Sequence, residues 1–376
     1  MRIGILTLPL HTNYGGILQA YALQTVLERM GHEVVVFNKK PRHKVLPVYK
    51  RPIYYSARLM KKLLVDPHTT IRREYVVRKE YPIVSQYTRR FVNDYIHCEW
   101  IKGLDDVEAG KLDAIVVGSD QIWRPRYFGK MWSGDLRNAF LAFTNGWNIK
   151  RFAYAASFGV DEWEYPVDLS NELKAAAAMF DGISVREDSG VALCKEHLGC
   201  EAVQVLDPTM LLKKEDYVKL IDNVHQPKSS GNLFCYILDS NPEKDGLVAR
   251  IAREKNLTPF HVKAEGLGHT RTIEERTHKP VEAWLRGFYD AEFVVTDSFH
   301  ACVFSILFGK PFIVVGNKGR GLSRFSSLMD MFGLKNNLLG EVTDYDSCAD
   351  YSVPAETYAR LDKLRELSNS FIHKIK

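Results

Sequence analysis

Residues 296–315, TDSFHACVFSILFGKPFIVV, constrain the fold more than any other stretch. An apolar run at 293–295 stops abruptly in Thr296-Asp297-Ser298. An apolar segment of helical length follows at 301–308, then Gly309-Lys310-Pro311, then a second apolar run at 312–315. Gly and Pro punctuate local structure. Strand, polar corner, helix, turn and strand in that order form a crossover unit, whose strands pair in parallel. The chain opens in the same way: a strand at 2–9, a polar loop at 11–16, a helix at 17–30 ended by Gly31, and a strand at 34–37.

The alternation continues. Strands are predicted at 112–117, 151–156, 182–185, 202–206, 232–238 and 259–262, and helices at 169–180, 189–198, 242–255, 282–288 and 355–375. A chain of 376 residues is too long for one ordinary core. The expected fold is α/β, with two Rossmann-like domains whose parallel sheets face a central cleft. The first spans 1–180 and carries a basic insertion at about 39–100. The second spans 181–350, and the final helix spans 351–376; the exact boundary falls between 180 and 231.

Hydrophobic content of 45% and charge of 26% suit a soluble enzyme. The six cysteines are scattered without a C-x-x-C pair, which argues against a zinc site or a redox dithiol and for a reducing compartment. The apolar start is too short for a secretory signal, and there are no 18 consecutive apolar residues for a membrane span. The expectation is therefore a cytoplasmic protein without a metal. Residues 1–180 hold 26 Lys+Arg against 18 Asp+Glu, and between 39 and 62 nine Lys/Arg occur with no acid. Tyrosines, Leu59 and Met60 interleave with them. This stretch is either a solvated insertion or a surface for anionic headgroups. It carries no nucleic-acid reading motif.

Five polar corners stand at strand ends: Asn13-Tyr14-Gly15-Gly16, Ser119-Asp120-Gln121, Ser157-Phe158-Gly159, Ser184-Val185-Arg186 and Ser298-Phe299-His300. Each alone is ordinary turn chemistry. Together, at carboxyl ends of parallel strands, they outline one cleft. Arg186 there meets either an anion or an acid among Glu187, Asp188 and Asp207. His300 is either a proton donor or a satisfied core side chain. Asp207-Pro208 reads as a turn. Lys318, Arg320 and Arg324 surround a Gly-containing loop ahead of a helix, suiting either phosphate or solvent.

The ordered set Asn13-x-Gly15-Gly16-x-x-Gln19-Ala20-Tyr21-Ala22-Leu23, Gly118-Ser119-Asp120-Gln121-Ile122-Trp123, Ser184-x-Arg186, Asp207-Pro208-Thr209 and Thr296-Asp297-Ser298-Phe299-His300-Ala301 resembles the polysaccharide pyruvyl transferase family, from residue 1 to about 334. The resemblance implies a GT-B-like fold with the C-terminal helix crossing back between domains. It also implies transfer of a pyruvyl group from phosphoenolpyruvate to sugar hydroxyls as a ketal. By position, His300 matches the family's active-site His and Arg186 its donor-binding Arg, with Ser298 in the same corner and Arg320 and Arg324 in the basic loop.

On this reading His300 is the general acid, or the group that holds phosphate as it departs, and Arg186 grips one anion bidentately. Asp120 serves the acceptor hydroxyl, with Asn13, Gly15, Gly16, Gln19, Ser119, Gln121 and Ser157 lining the acceptor side. No cofactor is expected beyond phosphoenolpyruvate as donor substrate. The acceptor is a cell-surface saccharide, lipid-linked in one version, which would turn 39–62 towards the inner face of the membrane. Two alternatives remain open. One is a nucleotide-sugar glycosyltransferase, with Glu274 and Glu275 as ribose-holding candidates; the other is a non-catalytic saccharide-binding subunit.

Overall fold

The computed structural model describes residues 1–41, 46–67, 69–132, 134–264, 272–316 and 322–375. Seven strands form the first sheet: β1 (Arg2–Leu6), β2 (Glu33–Asn38), β3 (Cys98–Trp100), β4 (Ala114–Val117), β5 (Lys150–Ala156), β6 (Gly182–Val185) and β7 (Val203–Gln204). Five form the second: β8 (Leu233–Tyr236), β9 (Pro259–Phe260), β10 (Phe293–Thr296), β11 (Phe312–Val315) and β12 (Leu338–Leu339). Every pairing is parallel, in the orders β3-β2-β1-β4-β5-β6-β7 and β12-β11-β10-β8-β9. Central strands buried on both faces read as continuous apolar runs, as Ala114–Val117 and Phe312–Val315 do. The molecule is the expected two-domain, GT-B-like α/β protein.

Strand order reverses between β1 and β4 in one sheet and between β8 and β10 in the other. Ligands of open parallel sheets bind at such switch points, outside the carboxyl ends of the strands. The loops leaving β1, β4 and β10 are those that carry Asn13, Asp120 and His300.

The domain boundary at 180 needs correction. β6 and β7 pair with β5 and with each other, so the first sheet runs on to Gln204. Sheet membership is a long-range pairing that a short apolar run does not announce. In the insertion, three helices follow α1 (Tyr14–Arg29): α2 (Arg51–Leu64), α3 (Arg73–Val84) and α4 (Gln86–Tyr95). Residues 42–45 lie outside the described residues. Lys39 is not part of a surface patch; it is buried, with Nζ donating to the Trp132 carbonyl at 2.5 Å.

Several contacts fasten the domains. Tyr14, at the start of α1, enters the second domain, stacks on Trp284 at 5.8 Å and donates to the Lys279 carbonyl at 2.8 Å. Arg276 pairs with Glu80, and Arg90 with Glu282, each at 2.5 Å. The C-terminal helix (Ala355–Ile372) begins on the second domain, with Thr357 against the Phe332 carbonyl. It ends on the first, where Ser368 Oγ accepts from the Leu206 N–H at 3.0 Å and Phe371 packs near Tyr154 and Gly182. It thus crosses back as expected. Phe371→Ala should cost about 3–5 kcal/mol of stability, measured by urea unfolding. A loss under about 1 kcal/mol would mean that the helix end does not carry the seam.

Candidate active site

The corner after β10 is built by its own first residues. Thr296 Oγ1 donates to the Tyr236 carbonyl at 2.6 Å. The Asp297 carboxylate accepts from the Leu238 and Asp239 N–H groups and from Lys244 Nζ at 2.6, 3.0 and 2.7 Å. These bonds tie the end of β10 to that of β8 and use up Thr296 and Asp297. What the corner presents is Ser298, at the N-cap of the helix Phe299–Phe308, and His300 in its first turn.

His300 lies across the domain seam against α1. A Cβ on Gly15 would stand 2.2 Å from His300 Nδ1, so only glycine admits the imidazole there. A Cβ on Gly16 would stand 3.2 Å from Asn13 Nδ2 and 3.4 Å from Asp120 Oδ2. One helix turn thus gathers His300 from the second domain with Asn13 and Asp120 from the first. Asp120 sits in the left-handed region at φ 48°, which Asp tolerates better than most residues. Its carbonyl accepts from the Ser157 N–H at 3.1 Å. Among the described residues, no hydrogen bond reaches its carboxylate.

Behind His300 stands a carboxylate that the sequence reading treated as turn chemistry. Asp207 is buried, and its Oδ1 accepts from the Thr209 N–H and hydroxyl at 3.0 and 2.6 Å. Its Oδ2 accepts from Arg186 Nη1 at 2.9 Å and lies 3.6 Å from His300 Nε2. Burial pushes the Asp207 carboxyl up, but His300, Arg186 and Thr209 outweigh it and hold the group well below the usual carboxylate range.

Arg186 is anchored by acids. Nε donates to Glu187 at 3.0 Å and Nη1 to Asp207, while the guanidinium lies 4.1 Å over the Phe299 ring. Burial works against its charge, but Glu187, Asp207 and Asp120 prevail and keep it protonated. The two-pronged grip expected of Arg186 is therefore already engaged. Only Nη2 remains, buried and without an acceptor among the described residues. Arg324, in the helix Ser323–Phe332, is buried on the same ring, 6.0 Å from its centre. Burial first, then the like charge of Arg186, pull its pKa down to about 10. Arg320 lies outside the described residues.

Several residues expected on the acceptor side serve the fold instead. Gln19 Nε2 donates to Thr7 Oγ1 and the Gly16 carbonyl, and Oε1 accepts from the Ser119 N–H and hydroxyl. Gln19 and Ser119 saturate each other at zero exposure. Ser157 donates to Glu187 at 2.7 Å, and Gln121 accepts from Arg124 at 3.3 Å. Glu275 closes a local turn on Thr272. Trp123 is core, bonded to the Ala139 carbonyl.

A cleft of about 510 Å³ that sequence reasoning missed opens beside the site. His11, Lys40, Tyr81, Arg89 and Trp100 line it, from the loop after β1, the ends of β2 and β3, and helices α3 and α4. His11 is two residues from Asn13, within about 7 Å of chain. The available signal was the positions of Lys40 and Trp100 at strand ends.

A family model described as polysaccharide pyruvyl transferase matches residues 13–319. No curated protein matches the chain. Similar solved structures include Arabidopsis thaliana UGT89C1 complexed with UDP-L-rhamnose, at 10% identity over 98% of this chain and 94% of that one, TM-score 0.49. UDP-GlcNAc 2-epimerase from Neisseria meningitidis bound to UDP-GlcNAc is 9% identical over 99% and 94%, TM-score 0.45. No ligand or reaction is carried over from likenesses this distant.

The buried hub has a pH signature. Because the folded-state pKa of Asp207 is depressed, its stabilisation is complete above the unfolded value near 4 and fades as pH falls below it. Asp207→Asn should cost about 3–5 kcal/mol at neutral pH. In urea unfolding, the gap to wild type should narrow between about pH 5 and pH 2.5. A gap constant across that window would mean that the carboxyl is not depressed.

Proposed function

We propose a donor, an acceptor and a division of labour for this chain, which belongs to the polysaccharide pyruvyl transferase family. The donor is phosphoenolpyruvate. The acceptor is a sugar unit of a cell-surface polysaccharide or its lipid-linked precursor, and the product is a pyruvate ketal across two hydroxyls. The supporting observation is the convergence of His300 and Asp120 on adjacent residues of one helix turn, from opposite domains.

In this mechanism His300 gives a proton to the methylene carbon, which becomes the methyl group, and the central carbon turns electrophilic. A sugar hydroxyl adds to that carbon, and Asp120 takes its proton. The bond to phosphate breaks, and the second hydroxyl closes the ketal ring. Of the two hydroxyl protons, one replaces that lost by His300 and the other leaves with phosphate. Asp207 keeps the imidazole oriented. First-turn N–H groups lack intrahelical acceptors and carry partial positive charge. Those of α1 and of Phe299–Phe308, with Arg186 Nη2 and Arg324, suit the donor's carboxylate and phosphate. Trp100 and Tyr81 offer apolar faces to sugar rings in the neighbouring cleft, with Lys40 and Arg89 for an anionic substituent.

Thermal unfolding with phosphoenolpyruvate, UDP and GDP in parallel tests the donor. Phosphoenolpyruvate should raise the midpoint, by about 2.7 kcal/mol of stabilisation at 100 times its Kd. A shift with a nucleotide alone would overturn the reading. His300→Ala should lower kcat, followed as phosphate release with a saccharide acceptor, by about 10²–10⁴ while leaving donor affinity nearly unchanged. Equal losses in both would make His300 a binding residue. Trp100→Ala should raise the acceptor KM with kcat retained. No step above uses a metal, so turnover should persist in chelator.

A further inference from the structure

Helix α2 is docked inside out. At 100° per residue, Ile53, Leu59, Met60, Leu63 and Leu64 fall on one face, and Arg51, Arg58 and Lys62 on the other. Ordinary packing buries the apolar face. Here the two arginines of the polar face are held against the protein. Arg58 donates to both carboxylate oxygens of Glu74, at 2.8 and 2.6 Å, and to the Ile71 carbonyl, and Arg51 Nε donates to the Leu46 carbonyl. The apolar face is left outward: Ile53 is 72% exposed, Leu63 70% and Leu64 73%. No residue of α2 is buried.

Two clefts with an excess of cations adjoin α2. Arg51, Arg72 and Arg78 line one, with Glu74, Tyr55 and Tyr75; Arg58, Lys61 and Arg73 line the other, with Asp66. Tyr49 and Tyr54 stand exposed nearby. Five outward apolar side chains make a patch that a soluble chain rarely leaves uncovered without reason.

We propose that α2 lies in the surface of an anionic lipid bilayer, its apolar face among the acyl chains and its flanking arginines and lysines on headgroup phosphates. The charge argues for lipid over a second copy of the chain. Residues 46–65 contain no acid, and Lys50, Lys61 and Lys62 are exposed there, so two copies meeting on this face would bring like charges together. A single helix of about 21 Å with an apolar stripe, a basic rim and boundary tyrosines has the form of an interfacial element. Among the described residues no helix is long and apolar enough to cross a membrane, so the attachment is peripheral. It brings the cleft lined by α3 and α4 next to the bilayer, where a lipid-carried saccharide would reach it. The lipid contact itself does not depend on the identity of the donor.

The test is co-sedimentation of the full chain with vesicles of phosphatidylcholine alone and of phosphatidylcholine mixed with phosphatidylglycerol. Wild type should bind only the mixed vesicles, more weakly as salt rises. Leu63→Glu/Leu64→Glu should weaken binding roughly 10- to 100-fold with an unchanged melting temperature, since neither side chain is buried in the fold. Lys61→Glu/Lys62→Glu should weaken it and reduce its salt dependence. Wild type that ignores both vesicles, or a Leu63→Glu/Leu64→Glu variant that binds like wild type, overturns the proposal. So does a wild-type dimer that the leucine variant converts to monomer without vesicle binding, which would make the face a contact between copies. Phosphoenolpyruvate-dependent turnover of the leucine variant on a water-soluble saccharide should match wild type, keeping a failure here separate from a failure of the pyruvyl reading.

Discussion

A charge taken out of water has to be answered from every side, and Asp207 is answered by Arg186, Thr209 and Ser119 within hydrogen-bonding range, with His300 just beyond it. These groups come from four places in the chain: the ends of β6, β4 and β10, and the turn after β7. Leaving a buried carboxylate short of one such partner is expensive. The four segments therefore hold one another in place. Arg186 shows the same economy: its charge stays because Glu187 and Asp207 flank it and the Phe299 ring lies beneath it. These polar groups are already paired in the absence of substrate, the kind of preorganisation on which electrostatic catalysis relies.

That cluster is a further joint between the two domains. Phe299 and His300 belong to the second sheet's switch point, and Arg186, Asp207 and Asp120 to the first domain. Tyr14 and the C-terminal helix fix the approach from either side. Gly15 sets its limit, because a methyl group there would collide with the imidazole. The roles proposed for His300 and Asp120 depend on this approach, which brings side chains from different halves of the molecule against adjacent residues of one helix turn.

The alternation of strands and helices was legible because each buried strand is a short apolar run cut off by polar or Gly residues. The edge strands β3 and β12 were not: Cys98-Glu99-Trp100 is no apolar run, and Leu338-Leu339 is only two residues long. The split at 180 failed because Gly182–Val185 reads the same whichever sheet it joins. His300 stood out as an imidazole at the start of an apolar helix. Asp207 was legible as one of three acids that Arg186 could meet, but not as a partner of His300, which lies far off in sequence. Gln19, Ser119 and Ser157 look like ligand-binding groups until the bonds of Ser119 to Gln19 and of Ser157 to Glu187 are seen; a sequence names polar groups but not whether they are already satisfied.

The contact between His300 and Gly15 makes domain angle a chemical variable. Opening the seam by a few degrees would carry the imidazole on the order of 1 Å from Asp120 and Asp207 without rotating a single side-chain torsion. A misplacement of that size is worth about a hundredfold in rate. A substrate too bulky to let α1 settle back would thus be bound yet left unreacted, and size selection would be exerted through closure rather than through any residue that touches the excess bulk.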